Sequence, residues 1–299
     1  FPQFGGVDVF ATPTDPAFTD QDDRASGHRV MTCMCKRDPR VWQSYGQDVF
    51  TRLLGPASQW SPKNVLISDE GIGRAGSRPD LLAAHLVEIG RIAADWGLSR
   101  VAVICAVRRQ DHWLASHYSQ MSDRNRDASQ ADFERAAHHL VRPSGDRFKL
   151  GMMLDYATLA AFIRDAVGRE NLLLYPYERQ CDNPEDVYAE MAAFAGADCR
   201  SRVKSVENTP DLSPEDANVR SVSRDRWSIR PLSQSSRLLP FRVSRAIGPP
   251  HTLNPPRLLR EKSFALTQNI SRIVLDTYGP SNERLCREFG VDGAKYDYF

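Results

Sequence analysis

No stretch of this 299-residue chain stays apolar over the roughly 20 residues that a bilayer-spanning helix needs. The longest apolar runs, such as Val101 to Val107, fall well short of it, and the mean hydropathy is −0.47, so no transmembrane segment is expected. An excess of one charge is also missing. Against 39 Lys+Arg stand 38 Asp+Glu, a formal net of +1, so the chain as a whole makes no case for nucleic acid or a membrane surface, and any basic site has to be local. The six cysteines (Cys33, Cys35, Cys105, Cys181, Cys199, Cys286) contain no CxxC pair and no Cys/His cluster at zinc-ligand spacing. They read as reduced thiols with no metal expected: Cys33 and Cys35 alternate along an extended segment, and Cys105 belongs to an apolar core run. Repeats and low-complexity blocks are missing as well. Phe1-Pro2-Gln3-Phe4-Gly5-Gly6 carries neither the basic nor the apolar stretch of a leader peptide, and with Phe rather than Met in first place the natural N-terminus is expected to lie upstream.

What is present is an ordinary globular composition, 41% hydrophobic and 9% aromatic, enough to bury a core. Residues 1 to about 60 are rich in Pro, Gly, Asp and Thr and are expected mostly on the surface, with a helical stretch from Asp38 to Leu54. Asn64 to Ser68 reads as a short buried strand running into Asp69-Glu70-Gly71. From Asp80 to Trp96, apolar residues recur with helical spacing at Leu81, Leu82, Leu86, Ile89, Ile92, Ala93 and Trp96, with Gly97 at the end. Val101 to Val107 is a continuous apolar run, the pattern of a strand covered on both faces of a parallel sheet. Helices follow over Asp111 to Met121, Ala131 to Leu140 and Leu154 to Val167, then a strand over Asn171 to Tyr175 and a helix from an Asn183-Pro184 cap to about Ala195. This alternation of strand and helix makes the core α/β. Two further helices, Ser263 to Tyr278 and Asn282 to Phe289, are expected near the end. Between Arg220 and Lys262, nine Arg and one Lys face only Asp225 and Glu261, a local net of +8. That strip is either a solvated loop or a surface for an anionic ligand.

In open α/β sheets ligands bind outside the carboxyl ends of the strands. At one such end Val107 leads into Arg108-Arg109-Gln110-Asp111-His112, with Ser116 two helical turns on. Guanidinium groups offer a permanent fork of donors suited to phosphate, and Ser116 adds a hydroxyl from the following helix. The competing reading pairs Arg108 and Arg109 with Asp111 or Asp123 at the surface. Trp113 and Tyr118 are candidates to stack on a base or simply to pack. His85 reads as a packed side chain on an apolar helix face, whereas His112 and His117 lie beside the anion site. Asn269-Ile270-Ser271 is a formal glycosylation sequon within a predicted helix.

The run Val101 to Gln120, with an Arg and a Ser eight residues apart, resembles the 3′-phosphate-binding segment of PAPS-dependent sulfotransferases, especially the bacterial branch. Val65-Leu66-Ile67-Ser68-Asp69-Glu70 resembles that branch's strand ending in Ser-x-Glu, and Leu154-Asp155-Tyr156 through Glu178 resembles its later helix, glycine and strand. The likeness covers about residues 62–197. It implies a P-loop nucleotide-kinase-like three-layer α/β domain, a central parallel sheet with flanking helices, as one unit over 1–299, with 200–260 a basic irregular insertion and 261–299 C-terminal helices. It implies transfer of a sulfuryl group from 3′-phosphoadenosine 5′-phosphosulfate (PAPS, leaving PAP) to a hydroxyl or amine, on a glycan or lipid acceptor, in the cytoplasm. Arg108 and Ser116 would hold the 3′-phosphate and Glu70 would be the base, with Asp69 its neighbour and an exposed turn carboxylate the plainer reading. The family's Lys/Thr/Gly loop for the 5′-phosphosulfate is not found. Pro143-Ser144-Gly145-Asp146 follows a helix and has the wrong order, so the loop is expected upstream of Phe1. The alternatives are a P-loop nucleotide kinase or other phosphotransferase, and a non-catalytic PAP- or glycan-binding relative.

Overall fold

The computed structural model describes residues 38–54, 56–59, 78–141, 154–196, 225–232 and 261–299. The chain divides into two compact units. Among the described residues, the first comprises 38–54, 56–59, 78–107, 154–196 and 280–296; the second comprises 108–141, 225–232, 261–279 and 297–299.

In the first unit, α1 (Val41–Leu54) packs on α2 (Pro79–Ala93). Proline at the first position of α2 and Asp80 in its first turn favour that helix start, because the missing N–H is not needed there and the carboxylate meets the positive end of the helix. Leu82, His85, Leu86, Ile89, Ile92 and Ala93 form one buried face, and after a turn of 3₁₀ helix Gly97 (φ 70°) ends the segment in the left-handed region. The core here joins Trp42, Val49 and Phe50 to Ile89, Ile92, Ala93 and Trp96. Gly46 makes room for the Ile92 side chain, since a Cβ at that position would overlap the Cδ1 of Ile92. His85 is packed as its helix position suggested: its Nδ1 accepts a hydrogen bond from Trp42 Nε1 at 2.9 Å, and both side chains are buried.

β1 (Val103–Val107) and β2 (Leu172–Pro176) pair in parallel, Val103 opposite Leu172 through Val107 opposite Pro176. The crossover includes α5 (Tyr156–Val167), which packs on α2 and on both strands. Asp155 caps α5 by accepting from Thr158 N at 3.1 Å, and the same threonine's hydroxyl accepts from Arg284 Nη2 at 3.1 Å, tying the end of the chain to this helix start. β2 runs into the short α6 (Tyr177–Asp182) and then α7 (Pro184–Phe194), the latter capped by Asn183. The described residues are thus mostly helical around a small parallel sheet, an α/β arrangement. The expected strand at Asn64 to Ser68 lies outside the described residues.

The second unit holds α3 (Gln110–Met121), α4 (Gln130–Leu140) and an antiparallel ribbon of β3 (Arg226–Ser228) with β4 (Ser263–Ala265). Ser129 caps α4 by accepting from Asp132 N at 3.3 Å. Phe264 of β4 packs on Phe133 (centroids 4.4 Å apart) and edge-on to Tyr118 (4.9 Å). One expectation is corrected here. Ser263 does not begin a helix but pairs with Ser228, and the two helices expected near the end are a single α8 (Gln268–Phe289) that runs through Pro280. Gly279-Pro280 looks like a break in sequence. In a helix, however, the proline removes one N–H, leaving the Asp276 carbonyl without its ladder partner, and a 22-residue helix with an apolar face tolerates that loss.

No helix among the described residues is long and apolar enough to cross a membrane.

Candidate anion-binding site

β1 ends at Val107, so Arg108 and Arg109 occupy the two residues between a parallel strand and the first turn of α3. The two arginines have different neighbours. Arg109 forks onto Asp111, Nε to Oδ1 at 2.8 Å and Nη2 to Oδ2 at 3.0 Å, and its Nη2 also donates to His112 Nε2 at 2.9 Å. Asp111 Oδ1 accepts the backbone N–H of His112 at 2.7 Å as well. Asp111 is fully buried and Arg109 is 19% exposed, so this is a sequestered ion pair whose carboxylate already supplies the negative charge that a helix N-terminus attracts. A ligand anion would therefore be met here by side chains rather than by the first amides of α3.

Arg108 lies against an aromatic face, its guanidinium carbon 5.8 Å from the ring centroid of Trp227 on β3. Ser116 is half-buried on the second turn of α3, about 9 Å along the axis from Gln110 at 1.5 Å per residue, and no described residue hydrogen-bonds its hydroxyl. Both expected 3′-phosphate residues thus belong to the second unit. Of the competing pairings, Arg109 with Asp111 is present, but buried rather than at the surface, and Asp123 is instead 3.8 Å from Arg124.

Around them, Trp113 stacks on His117 (4.7 Å, 10° between planes), one helical turn on. Tyr118 packs between Phe133 and Phe264 and donates to Asp132 Oδ2 at 2.7 Å, which makes it a core side chain rather than a stacking platform for a base. Burial and the Asp132 carboxylate push its phenol well above the ordinary range. In the first unit, desolvation pushes the half-buried Cys105 thiol up to about 11, which disfavours the reactive thiolate. Glu178 is half-buried just past β2. Glu70, Asp69, the Pro143-Ser144-Gly145-Asp146 segment and most of the basic strip lie outside the described residues. Among the described residues, no group of three or more His, Cys, Asp or Glu side chains is placed to hold a metal ion.

Sequence reasoning missed Trp227, and little in Arg226-Trp227-Ser228 would have found it. Its place is set by contacts distant in the chain. Ser119 Oγ of α3 donates to the Ser228 carbonyl at 2.7 Å, and the Arg230 N–H donates to Ser122 Oγ at 2.8 Å. The chain matches no family model, no curated protein and no solved structure.

Proposed function

We propose that this chain is a PAPS-dependent sulfotransferase, moving a sulfuryl group from 3′-phosphoadenosine 5′-phosphosulfate to a hydroxyl or amine of a glycan or lipid, on a P-loop nucleotide-kinase-like α/β fold. The observation that carries the reading is the placement of an arginine pair at the exit of β1, with Arg108 beside the Trp227 ring and Ser116 following on the adjoining helix. The fit to a nucleotide 3′-phosphate is chemical: the Arg108 guanidinium offers charge-assisted donors and Ser116 a hydroxyl, the pairing that separates a 3′-phosphorylated nucleotide from ADP.

In the reaction, Arg108 and Ser116 hold the 3′-phosphate and so fix the donor end-on to the acceptor. Glu70 takes the proton as the acceptor oxygen or nitrogen bonds to sulfur and the bond from sulfur to the 5′-phosphate oxygen breaks, releasing PAP. Positioning of that in-line displacement accounts for most of the rate in such group transfers, as in phosphoryl transfer, with the base adding about 10²- to 10⁴-fold.

The test is calorimetric titration of the chain with PAP and with ADP at one salt concentration. PAP is expected to bind more tightly, and Arg108→Ala to weaken PAP by about 10- to 150-fold while leaving ADP unchanged, the loss of a hydrogen bond to charge. Equal loss for both nucleotides would remove Arg108 from the role, and no preference in the unaltered chain would overturn the reading.

A further inference from the structure

We propose that Trp227 is a positioning residue for Arg108: its indole face sets the guanidinium that discriminates a 3′-phosphate. This rests on the sulfotransferase reading and adds to it a residue from a distant part of the chain.

Two neighbouring arginines show two ways of fixing a guanidinium. A carboxylate does it through the donor edge and cancels the charge, as Asp111 does for Arg109 with two parallel hydrogen bonds. An aromatic ring does it through the flat face. It leaves the cation's charge in place and does not compete along the plane in which the N–H groups point. Arg108 meets the Trp227 face in this second way, its guanidinium carbon 5.8 Å from the ring centroid.

The ring is itself well held. Trp227 is 6% exposed and stands opposite Phe264 in the ribbon, and Phe264 is locked into the cluster with Phe133 and Tyr118. On either side of the tryptophan the strand is tied down. Leu266 N donates to the Asp225 carbonyl at 2.8 Å and Ile229 N to the Lys262 carbonyl at 2.9 Å, while Ser119 of α3 and Ser122, the residue just past its end, bind Ser228 and Arg230. Ser119 lies on the helix that also carries Ser116, and Ser122 caps that helix's C-terminal end. One helix therefore presents the hydroxyl and anchors the ribbon whose ring supports the arginine, so both partners of the anion keep one geometry.

The experiment measures PAP and ADP affinities for the unaltered chain, Arg108→Ala, Trp227→Phe and Trp227→Leu. Expected is a graded fall in PAP affinity, small for the phenylalanine and about 5- to 30-fold for the leucine, with ADP affinity held within about threefold. A second series keeps the side chain and changes only its electrons, by growing the unaltered chain and Trp227→Phe on fluorinated tryptophans. PAP affinity should fall with fluorination in the unaltered chain and stay flat in Trp227→Phe, a dependence that a purely structural tryptophan would not produce. This second series decides the matter if Trp227→Leu fails to fold. If the unaltered chain prefers PAP and Arg108→Ala abolishes the preference, yet both tryptophan series are flat, this inference alone falls. If the unaltered chain shows no preference for PAP, the sulfotransferase reading falls and takes the inference with it.

Discussion

The parallel pair β1–β2 and the antiparallel ribbon β3–β4 are built on different terms. β1 and β2 are five residues each, Val-Ile-Cys-Ala-Val and Leu-Leu-Leu-Tyr-Pro, so apolar that the runs alone mark them as strands; the full cover expected for β1 is not what the described residues give it, since only Val107 is buried and Ala106 is exposed. β3 and β4 are three residues each, Arg-Trp-Ser and Ser-Phe-Ala, with no periodicity of their own. They exist as strands because α3, α4 and the Phe133 ring supply partners: Gln130 alone donates to the Ala265 carbonyl at 3.2 Å and accepts from Ala265 N at 2.6 Å. The second pair places the Trp227 ring beside Arg108. An element with little intrinsic structure can thus hold a defined position, because its geometry comes from tertiary contacts.

Breaking each region should separate their roles. The largest effect is expected from Phe264→Ala, which empties a fully enclosed site between Phe133 and Tyr118. Urea denaturation should report a loss of about 3–5 kcal/mol, the usual cost of removing a buried phenylalanine. The same variant should lower the preference for PAP over ADP, because Trp227 loses its cross-strand neighbour. Next comes Trp42→Phe in the first unit, which removes the donor to His85 Nδ1. It should cost about 1–3 kcal/mol, the penalty of a buried acceptor deprived of its partner, and leave the nucleotide preference unchanged. A nucleotide preference that fell equally in both variants would break the comparison and mean that ligand discrimination follows global stability.

What could be read in the sequence follows the same line. The 3.6-residue spacing at Leu82, Leu86, Ile89 and Ile92, the Asn183-Pro184 start and the Val101 to Val107 run each encode their structure locally, and each lies where it was expected to within two residues or so. Ser263 and Pro280 were misjudged for the opposite reason. Ser263 takes its strand from Ser228, 35 positions earlier, and Pro280 stays inside α8 because the rest of that helix outweighs one missing hydrogen bond. Arg108 and Ser116 were singled out by their spacing next to a strand end, and the structure places them just past β1 and on α3. The sequence could not say which of two adjacent arginines Asp111 would claim, because that depends on side-chain reach around the first turn of α3.

The smallest effect expected is a pH dependence that belongs to the ribbon side alone. Tyr118 donates to Asp132 Oδ2 at 2.7 Å, and burial together with that carboxylate raises its phenol above the ordinary value of 10.0. With the folded pKa above the unfolded one, the native state keeps a proton that the unfolded chain gives up once the pH passes 10. The stabilisation is complete below that value and is lost progressively as the pH rises from it toward the folded pKa. Because half of the unfolded phenols still hold their proton at pH 10, the loss between pH 9 and 11 averages about 0.5–1 kcal/mol per pH unit, less than the full 1.36 kcal/mol for one proton, and exposure of the half-buried ring limits its total. Urea midpoints measured between pH 9 and 11 should therefore fall more steeply for the unaltered chain than for Tyr118→Phe, which has no phenol to titrate. The Trp42→Phe variant, altered only in the first unit, should retain the steeper slope. Parallel slopes for the unaltered chain and Tyr118→Phe would show that the Tyr118–Asp132 contact does not hold the phenol protonated. The support for Phe264, and through it for Trp227, would then have to come from ring packing alone.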